Sequence, residues 1–297
     1  MAFEARILKD SICNGHRLTT MQLTHPRIVH AEFNTHCMFA RNASSSRAIP
    51  FSKIVERVIE DPFIPKHWGV NQKGMQATQE LSGPERGRAI FLWLEARNHS
   101  IEIARTLANS NNLNVHKQIV NRLLEPWSWI TVCVTGDASA WSNYFSLRCH
   151  PDAQPDIQEQ AYMAQLEYFT SIPKEVQDGY WHLPYTTDEE ADQISESDLI
   201  KISVGRCART SYLTQEGGAD PEADIALHDR LRFHVPLHAS PFEHVCQSGH
   251  GDARYGKYVG WKSYRHMLPR EYVTDFQPNH PYLSSNGDYI ENMQKVR

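Results

Sequence analysis

Two strand-like segments at the start of the chain constrain the fold most, because strands must pair within a sheet. Residues 3–10 alternate apolar with polar side chains, and residues 17–30 run apolar, as short strands do. Further along the chain, apolar residues recur at near-helical spacing. That spacing predicts helices over residues 84–109, 115–132, 138–147, 155–169 and 223–233, with another strand over residues 199–204.

The composition is that of an ordinary globular protein. Of the 297 residues, 40% are hydrophobic and 22% are charged. The formal net charge of −5 argues against binding a nucleic acid polymer, which needs a basic face. No uncharged apolar run approaches the ~18–20 residues that cross a bilayer, so no membrane partner is expected. The six scattered cysteines are typical of reduced thiols and predict a cytoplasmic protein.

A polar stretch after residue 30 is the first candidate binding site. Asn42, Ser45 and Arg47 lie within one or two turns of each other if the segment is helical. A serine hydroxyl, backbone N–H groups and an arginine fork suit a phosphate. The alternative is a helix end with capping serines and a solvated arginine.

The same stretch resembles the signature of the flavin-dependent thymidylate synthases, an Arg-His-Arg triplet followed by Ser, Asn, Ser and Arg at fixed spacings. His36, Asn42, Ser45 and Arg47 fall on matching positions. The resemblance implies that His36 and Asn42 face the flavin, while Ser45 and Arg47 hold the nucleotide phosphate.

The signature departs from the family pattern at four positions. Thr35 and Cys37 replace both arginines of the triplet, Ala40 replaces the first serine, and Ala43 replaces a glutamate. Two charges on the flavin side are therefore missing.

A second stretch is similar to the family's Asn-x-x-x-Leu-Arg followed by Ala-Gln-x-x-Ile. The resemblance implies that Arg148 contacts the uracil ring, with Gln154 also at the substrate, and that Asn143 contacts the flavin. Nucleophilic attack from C5 of uracil places negative charge on the ring oxygens, and a fixed guanidinium in a dry site stabilises such charge by roughly 3–4 kcal/mol. The alternative for Arg148 is an ion pair with Asp152 or Glu159.

Two further matches lie out of the family's order. Residues 208–212 and 238–244 resemble motifs that precede the signature in most members, whereas here they follow it. A permuted chain explains this order, and it would set His244 against the flavin. The alternative is a core histidine hydrogen-bonded to Glu243.

The resemblance implies an α+β fold, with a mixed β-sheet packed on long central helices. It divides the chain into a core domain over residues 1–171 with the nucleotide and flavin motifs, an acidic exposed connector over 172–198, and a segment over 199–297 that completes the same fold. Homotetramers with active sites shared between subunits are expected.

The implied activity is reductive methylation of C5 of dUMP to give dTMP, with FAD as cofactor and with methylenetetrahydrofolate and NADPH as co-substrates. C5 methylation of UMP and C5 hydroxymethylation are alternatives on the same fold. A non-catalytic nucleotide-binding protein is an alternative of another class, favoured by the replaced arginines.

Two other patterns in the sequence suggest different chemistry. Cys149 begins a Cys-His-x-x-x-Gln stretch that looks like the nucleophile motif of the flavin-free thymidylate synthases, but no proline precedes it and we interpret Cys149 as a neighbour of Arg148 on the helix. His238, His244, Cys246 and His250 have zinc-ligand chemistry without a zinc spacing, so no metal is expected.

Overall fold

A computed structural model describes residues 3–109, 111–212, 220–235 and 237–269. Within these residues, no helix is both long enough and apolar enough to span a bilayer. The chain contains both strands and helices, and the fold is of the expected mixed helix and sheet class. The strands are β1 (Glu4–Cys13), β2 (His16–Pro26), β3 (Ala40–Ala43), β4 (Trp129–Asp137), β5 (Lys174–Glu175), β6 (Trp181–His182), β7 (Cys246–Gln247), β8 (Arg254–Tyr255), β9 (Tyr258–Val259) and β10 (Lys262–Ser263). The α-helices are α1 (His30–Phe33), α2 (Phe51–Glu60), α3 (Gly83–Ala108), α4 (Lys117–Val120), α5 (Ala138–Arg148), α6 (Pro155–Thr170), α7 (Asp188–Gln193), α8 (Glu196–Arg209) and α9 (Pro221–Phe233).

The main sheet has the strand order β3-β4-β2-β1-β5 and is antiparallel except for β5. The first two predicted strands form its central hairpin. Asn14 and Gly15 join them, both with positive φ (49° and 83°), and an Asn-Gly pair adopts this turn with little strain.

One face of the main sheet is apolar. It carries Met21 and Leu23 from β2 and Val132 and Val134 from β4. The amphipathic helices α5 and α6 cover this face, and side chains such as Trp141 pack against it. This layer is the main hydrophobic core of the described chain.

The opposite face of the same sheet is polar yet buried. Thr20 lies opposite Thr135, and Gln22 lies opposite Cys133. The described residues between 181 and 269, which we call the C-terminal segment, cover this face. They contribute His182, which has no exposed surface and whose Nε2 lies 2.8 Å from the Thr20 hydroxyl. The C-terminal segment therefore packs directly on the polar face of the sheet.

A buried ion-pair network joins the helices of the C-terminal segment. Arg206 of α8 donates from Nε to Asp224 of α9 at 3.0 Å and from Nη2 to Glu190 of α7 at 2.6 Å. Arg209 donates to the other oxygen of Asp224 at 2.5 Å. Gly205 lets α8 approach the backbone of Asp224, where a Cβ atom would collide. These contacts fix the relative positions of the three helices.

The structure corrects three sequence predictions of secondary structure. Residues 115–132 are not one helix: α4 passes into a 3₁₀ helix over Asn121–Trp127, and β4 begins at Trp129. Residues 199–204 are helical because Ser195 caps α8 through the Asp198 amide. Residues 42–47 are a strand end and a loop, since α1 ends at Phe33. The other predicted helices are confirmed in α3, α5, α6 and α9.

The predicted connector is only partly exposed. Helix α7 carries Asp188, Glu189 and Asp192 at the surface, whereas Glu190 binds Arg206 and residues 182–184 are buried. The domain boundaries themselves stay a prediction.

Replacement of Glu190 by Gln tests the ion-pair network. Arg206 holds the pKa of Glu190 below its usual value, so the carboxylate stabilises the fold above pH 4.5, and that stability is lost as the pH falls through the folded-state pKa. We expect Glu190→Gln to lower the free energy of unfolding at pH 7 by about 1–3 kcal/mol, and the difference from the wild type to shrink below pH 4.5. Urea unfolding between pH 3 and pH 7 measures this. Asp192→Asn, exposed on the same helix, is the control, and equal effects of the two substitutions would contradict the prediction.

Candidate functional site

Arg148 ends helix α5, which Asp137 caps by accepting a 2.9 Å hydrogen bond from the Ala140 amide. Its Nε donates to His36 Nε2 at 2.9 Å, and its Nη1 donates to Glu32 Oε2 at 3.3 Å. The alternative ion pairs with Asp152 or Glu159 are not formed. The guanidinium is therefore held against the short helix α1 and the turn that follows it.

His36 is a neutral residue in this contact. Burial lowers its pKa to about 4, with smaller contributions from the positive charges of Arg148 and Arg41. Its ring packs edge-on against Tyr144, with 4.9 Å between the ring centroids. Near pH 7 the imidazole is uncharged, and its Nε2 can accept the hydrogen bond of Arg148.

A cleft of about 730 Å³ opens beside this guanidinium. Its walls are Glu32, Arg148, residues 151–155 and part of the loop over residues 67–80. Such a volume lies in the range of small-molecule sites. Two of the predicted substrate residues, Arg148 and Gln154, meet on this wall.

The side chain of Gln154 also caps the N-terminus of helix α6. Its Oε1 accepts from the backbone amides of Asp156 and Ile157 at 2.8 and 2.9 Å, which caps α6. Its Nε2 donates to Asp156 Oδ2 at 2.7 Å. Gln154 therefore fixes the start of α6 at the cleft, and direct contact with a substrate stays a prediction.

Asn42 lies on the opposite side of the sheet from the cleft. Its position opposite Cys133 in β4 places it on the polar face, where Nδ2 donates to the Cys207 carbonyl at 2.6 Å. Its Oδ1 accepts from Ser240 at 3.3 Å and from Ser211 at 3.4 Å. The amide is thus fully engaged with the C-terminal segment.

Ser45 and Arg47 belong to the loop between β3 and α2. The Ser45 amide donates to the Ser211 carbonyl at 3.0 Å, and the Ser45 hydroxyl accepts from the Arg47 amide at 3.3 Å. The Arg47 side chain is exposed. The Ser45 hydroxyl contacts the backbone of Arg47, and the two residues lie in a loop and not at the end of a helix as the sequence suggested.

The two remaining predicted flavin residues differ in exposure. Asn143 is exposed on α5, whereas His244 has no exposed surface. His244 Nδ1 lies 2.8 Å from the Thr135 hydroxyl and 3.7 Å from Cys133 Sγ. The bond to Glu243 that the alternative interpretation required is not formed, since that carboxylate binds Lys257 and Arg265. A flavin contact at His244 would require the covering residues to open, and the assignment stays a prediction.

The sheet separates the eight predicted site residues into two groups. His36 lies beside Phe33 and Phe39, which belong to the apolar core on the α5 side, and Arg148 joins it there. Asn42 and His244 lie on the polar side. One chain therefore brings Arg148, His36 and Gln154 together and leaves the others apart.

Sequence reasoning missed Glu32 and a role for Thr35, whose hydroxyl lies 3.3 Å from Arg148 Nη2. No helical spacing links Glu32 to His36, since α1 ends at Phe33, and the tertiary fold brings both side chains to Arg148.

The competing patterns receive little support. Burial raises the pKa of the Cys149 thiol, which disfavours the thiolate that a nucleophile requires. Cys246 Sγ donates to the Glu243 carbonyl at 3.5 Å, and the His238 ring packs on His234 at 4.2 Å. Among the residues that the structure describes, no group of three or more His, Cys, Asp or Glu side chains is arranged to hold a metal.

Solved structures of uracil nucleotide methylases are similar to this chain. One is thymidylate synthase X (ThyX) from Helicobacter pylori with FAD and dUMP, at 12% identity over 51% of this chain and 67% of that chain, with a TM-score of 0.38. Another is the UMP/dUMP methylase PolB from Streptomyces cacaoi bound with 5-Br UMP, at 14% identity over 56% and 88%, with a TM-score of 0.46. A further similar structure is the flavin dependent thymidylate synthase ThyX from Helicobacter pylori complexed with FAD and dUMP, whose family the motifs resemble. No family model matches the chain, and no curated protein matches it in sequence.

The reactivity of Cys149 provides a test of the thiolate alternative. Because burial raises its pKa and half-covers the thiol, we expect iodoacetamide at pH 7.5 to alkylate Cys149 at least about ten times more slowly than the exposed Cys37. Mass spectrometry of peptides over a time course measures both rates in one sample. Faster alkylation of Cys149 than of Cys37 would restore the thiolate as a candidate nucleophile.

Proposed function

We propose that this chain is an enzyme that methylates C5 of a uracil nucleotide, converting dUMP to dTMP in the manner of the flavin-dependent thymidylate synthases. Methylenetetrahydrofolate is the proposed carbon donor, NADPH the reductant and FAD the cofactor. The observation that carries the proposal is the guanidinium of Arg148, fixed on the wall of a 730 Å³ cleft beside Gln154.

Arg148 is suited to a ring whose oxygens gain negative charge. Its Nε is committed to His36 at 2.9 Å, whereas its contacts through Nη1 and Nη2 are 3.3 Å or longer. These two nitrogens can therefore exchange Glu32 and Thr35 for ligand oxygens. A guanidinium stays charged throughout and presents its donors in a planar fork, so it stabilises the charge on the ring as C5 attacks.

The phosphate assignment implies that two copies of the chain share a site. The Ser45 amide donates to Ser211 of the C-terminal segment, which covers the face of the sheet opposite to the cleft, so a nucleotide held by Arg148 would meet the Ser45 loop of a second copy. Large apolar side chains exposed around α5 and α6 support self-association: Leu147, Tyr162, Leu166, Phe169 and Ile172. The homotetramer expected from the motifs is therefore retained as a proposal.

The predicted flavin-binding residues are less well placed in the structure than the predicted uracil-binding residue Arg148. The enclosed His244, the engaged amide of Asn42 and the exposed Asn143 do not form one surface in the described part of a single chain. FAD would supply the redox chemistry of this reaction if a second copy completed the cradle.

The same observations favour one alternative of another class, a nucleotide-binding protein without catalysis. Thr35 and Cys37 stand where the family has arginines, and both are exposed. Because neither side chain is a cation, neither supplies a positive charge for a flavin. Methylation of UMP and hydroxymethylation at C5 are the alternatives that keep an enzymatic role.

One assay separates these activities. The protein is incubated with FAD, NADPH, methylenetetrahydrofolate and either dUMP or UMP, and the nucleotides are identified by mass spectrometry. We expect dTMP from dUMP and visible-light absorption of bound flavin. A colourless protein that binds nucleotide without turnover would support the non-catalytic alternative, and failure to bind any uracil nucleotide would refute the proposal.

Arg148→Ala tests the residue that carries the proposal. Loss of a donor to a developing oxyanion reduces rates by about 10²–10³-fold, so turnover should fall at least that far while flavin absorption remains. Arg88→Ala, at an exposed position on α3, is the matched control. Turnover of Arg148→Ala within a few-fold of the control would contradict the uracil assignment.

A further inference from the structure

The hydrogen bond between Arg148 and His36 is the shortest contact of this guanidinium. Nε donates to His36 Nε2 at 2.9 Å, whereas the contacts to Glu32 and Thr35 range from 3.3 to 3.5 Å. The Nε atom lies at the root of the planar group, so a bond there sets the direction of both terminal nitrogens. His36 therefore limits how the fork can turn towards the cleft.

The surroundings of His36 keep its ring in place. The ring centroid lies 4.9 Å from that of Tyr144, 6.4 Å from Phe39 and 6.5 Å from Phe33. His36 is 4% exposed. A ring enclosed on these sides has little freedom to swing away from Arg148.

The protonation state of His36 follows from the same contacts. Since Nε2 accepts a hydrogen bond from a cation, the proton of the neutral ring must lie on Nδ1. The charged groups near the ring are Arg148 and Arg41, with Glu32 reaching it only through Arg148. A second proton on the ring would face a guanidinium at 2.9 Å, so protonation would break the bond.

We propose that neutral His36 is a positioning residue, which orients the Arg148 guanidinium and thereby sets the affinity of the cleft for the nucleotide. This inference rests on the proposed function. It gives His36 a role through Arg148 in place of the direct flavin contact that the motifs implied.

Two substitutions separate the acceptor from the packing. His36→Phe keeps an aromatic ring beside Tyr144 but removes the acceptor, and His36→Gln restores a carbonyl oxygen near the position of Nε2. Because a hydrogen bond to a charged group is worth about 1.5–3 kcal/mol, we expect His36→Phe to weaken binding of dUMP or UMP by about 10–100-fold. His36→Gln should bind within about threefold of the wild type, and calorimetric titration measures all three proteins. Thermal unfolding of each variant shows whether it is folded.

Nitrogen-15 NMR of the histidine rings provides a readout without nucleotide. We expect His36 to carry its proton on Nδ1 at pH 7 and to titrate only near pH 4, where its pKa lies. In Arg148→Met the pKa should rise, because the neighbouring positive charge is gone. A His36 protonated on Nε2 at pH 7 would overturn the proposal.

The possible results separate the two proposals. If the wild type binds a uracil nucleotide and His36→Phe binds it equally well, the positioning role is wrong while the proposed function stands. If the wild type binds neither dUMP nor UMP, the proposed function and the positioning role fall together. Weak binding by His36→Gln as well as by His36→Phe, with both variants folded, would also refute the acceptor role.

Discussion

A hydrogen-bonded chain across the buried polar face of the sheet is the interaction on which the rest of the structure depends. It runs from the Ser11 hydroxyl to His182 at 3.0 Å, then through Thr20 and Thr135 to His244, with steps of 2.8, 2.7 and 2.8 Å. All five side chains are fully buried. Because an unpaired polar group in such a place costs about 1–3 kcal/mol, the C-terminal segment can cover the sheet in few other registers.

The candidate site follows from the same division of the sheet into two faces. Helices α5 and α6 pack on the apolar face, and Arg148 at the end of α5 and Gln154 at the start of α6 line the cleft. The polar face engages Asn42 with backbone and hydroxyl groups of the C-terminal segment. A sheet that is buried on both sides cannot present both groups to one ligand within a single chain. The proposed shared site is a consequence of this geometry as much as of the motifs.

Much of the fold could be predicted because its signals are local. The predicted helices over residues 138–147 and 155–169 depend on neighbours in the sequence, and both are confirmed in α5 and α6. The Asn14-Gly15 turn between β1 and β2 is explained by the same kind of local rule. The helical conformation of residues 199–204 was not predicted, because the capping residue Ser195 lies before the apolar run that suggested a strand. The partners of His244 and Asn42 could not be predicted, since Thr135 and Ser240 are brought to them only by the tertiary fold.

The two faces of the sheet contribute to the heat-capacity change of unfolding with opposite signs. Exposure of the apolar face to water raises the heat capacity, whereas exposure of threonine, histidine and amide groups lowers it. Burial of a polar layer as well as an apolar one therefore gives this chain a smaller heat-capacity change than an all-apolar interior of equal area. A smaller change flattens the curve of stability against temperature, so the protein would keep its fold over a broader thermal range for the same maximum stability.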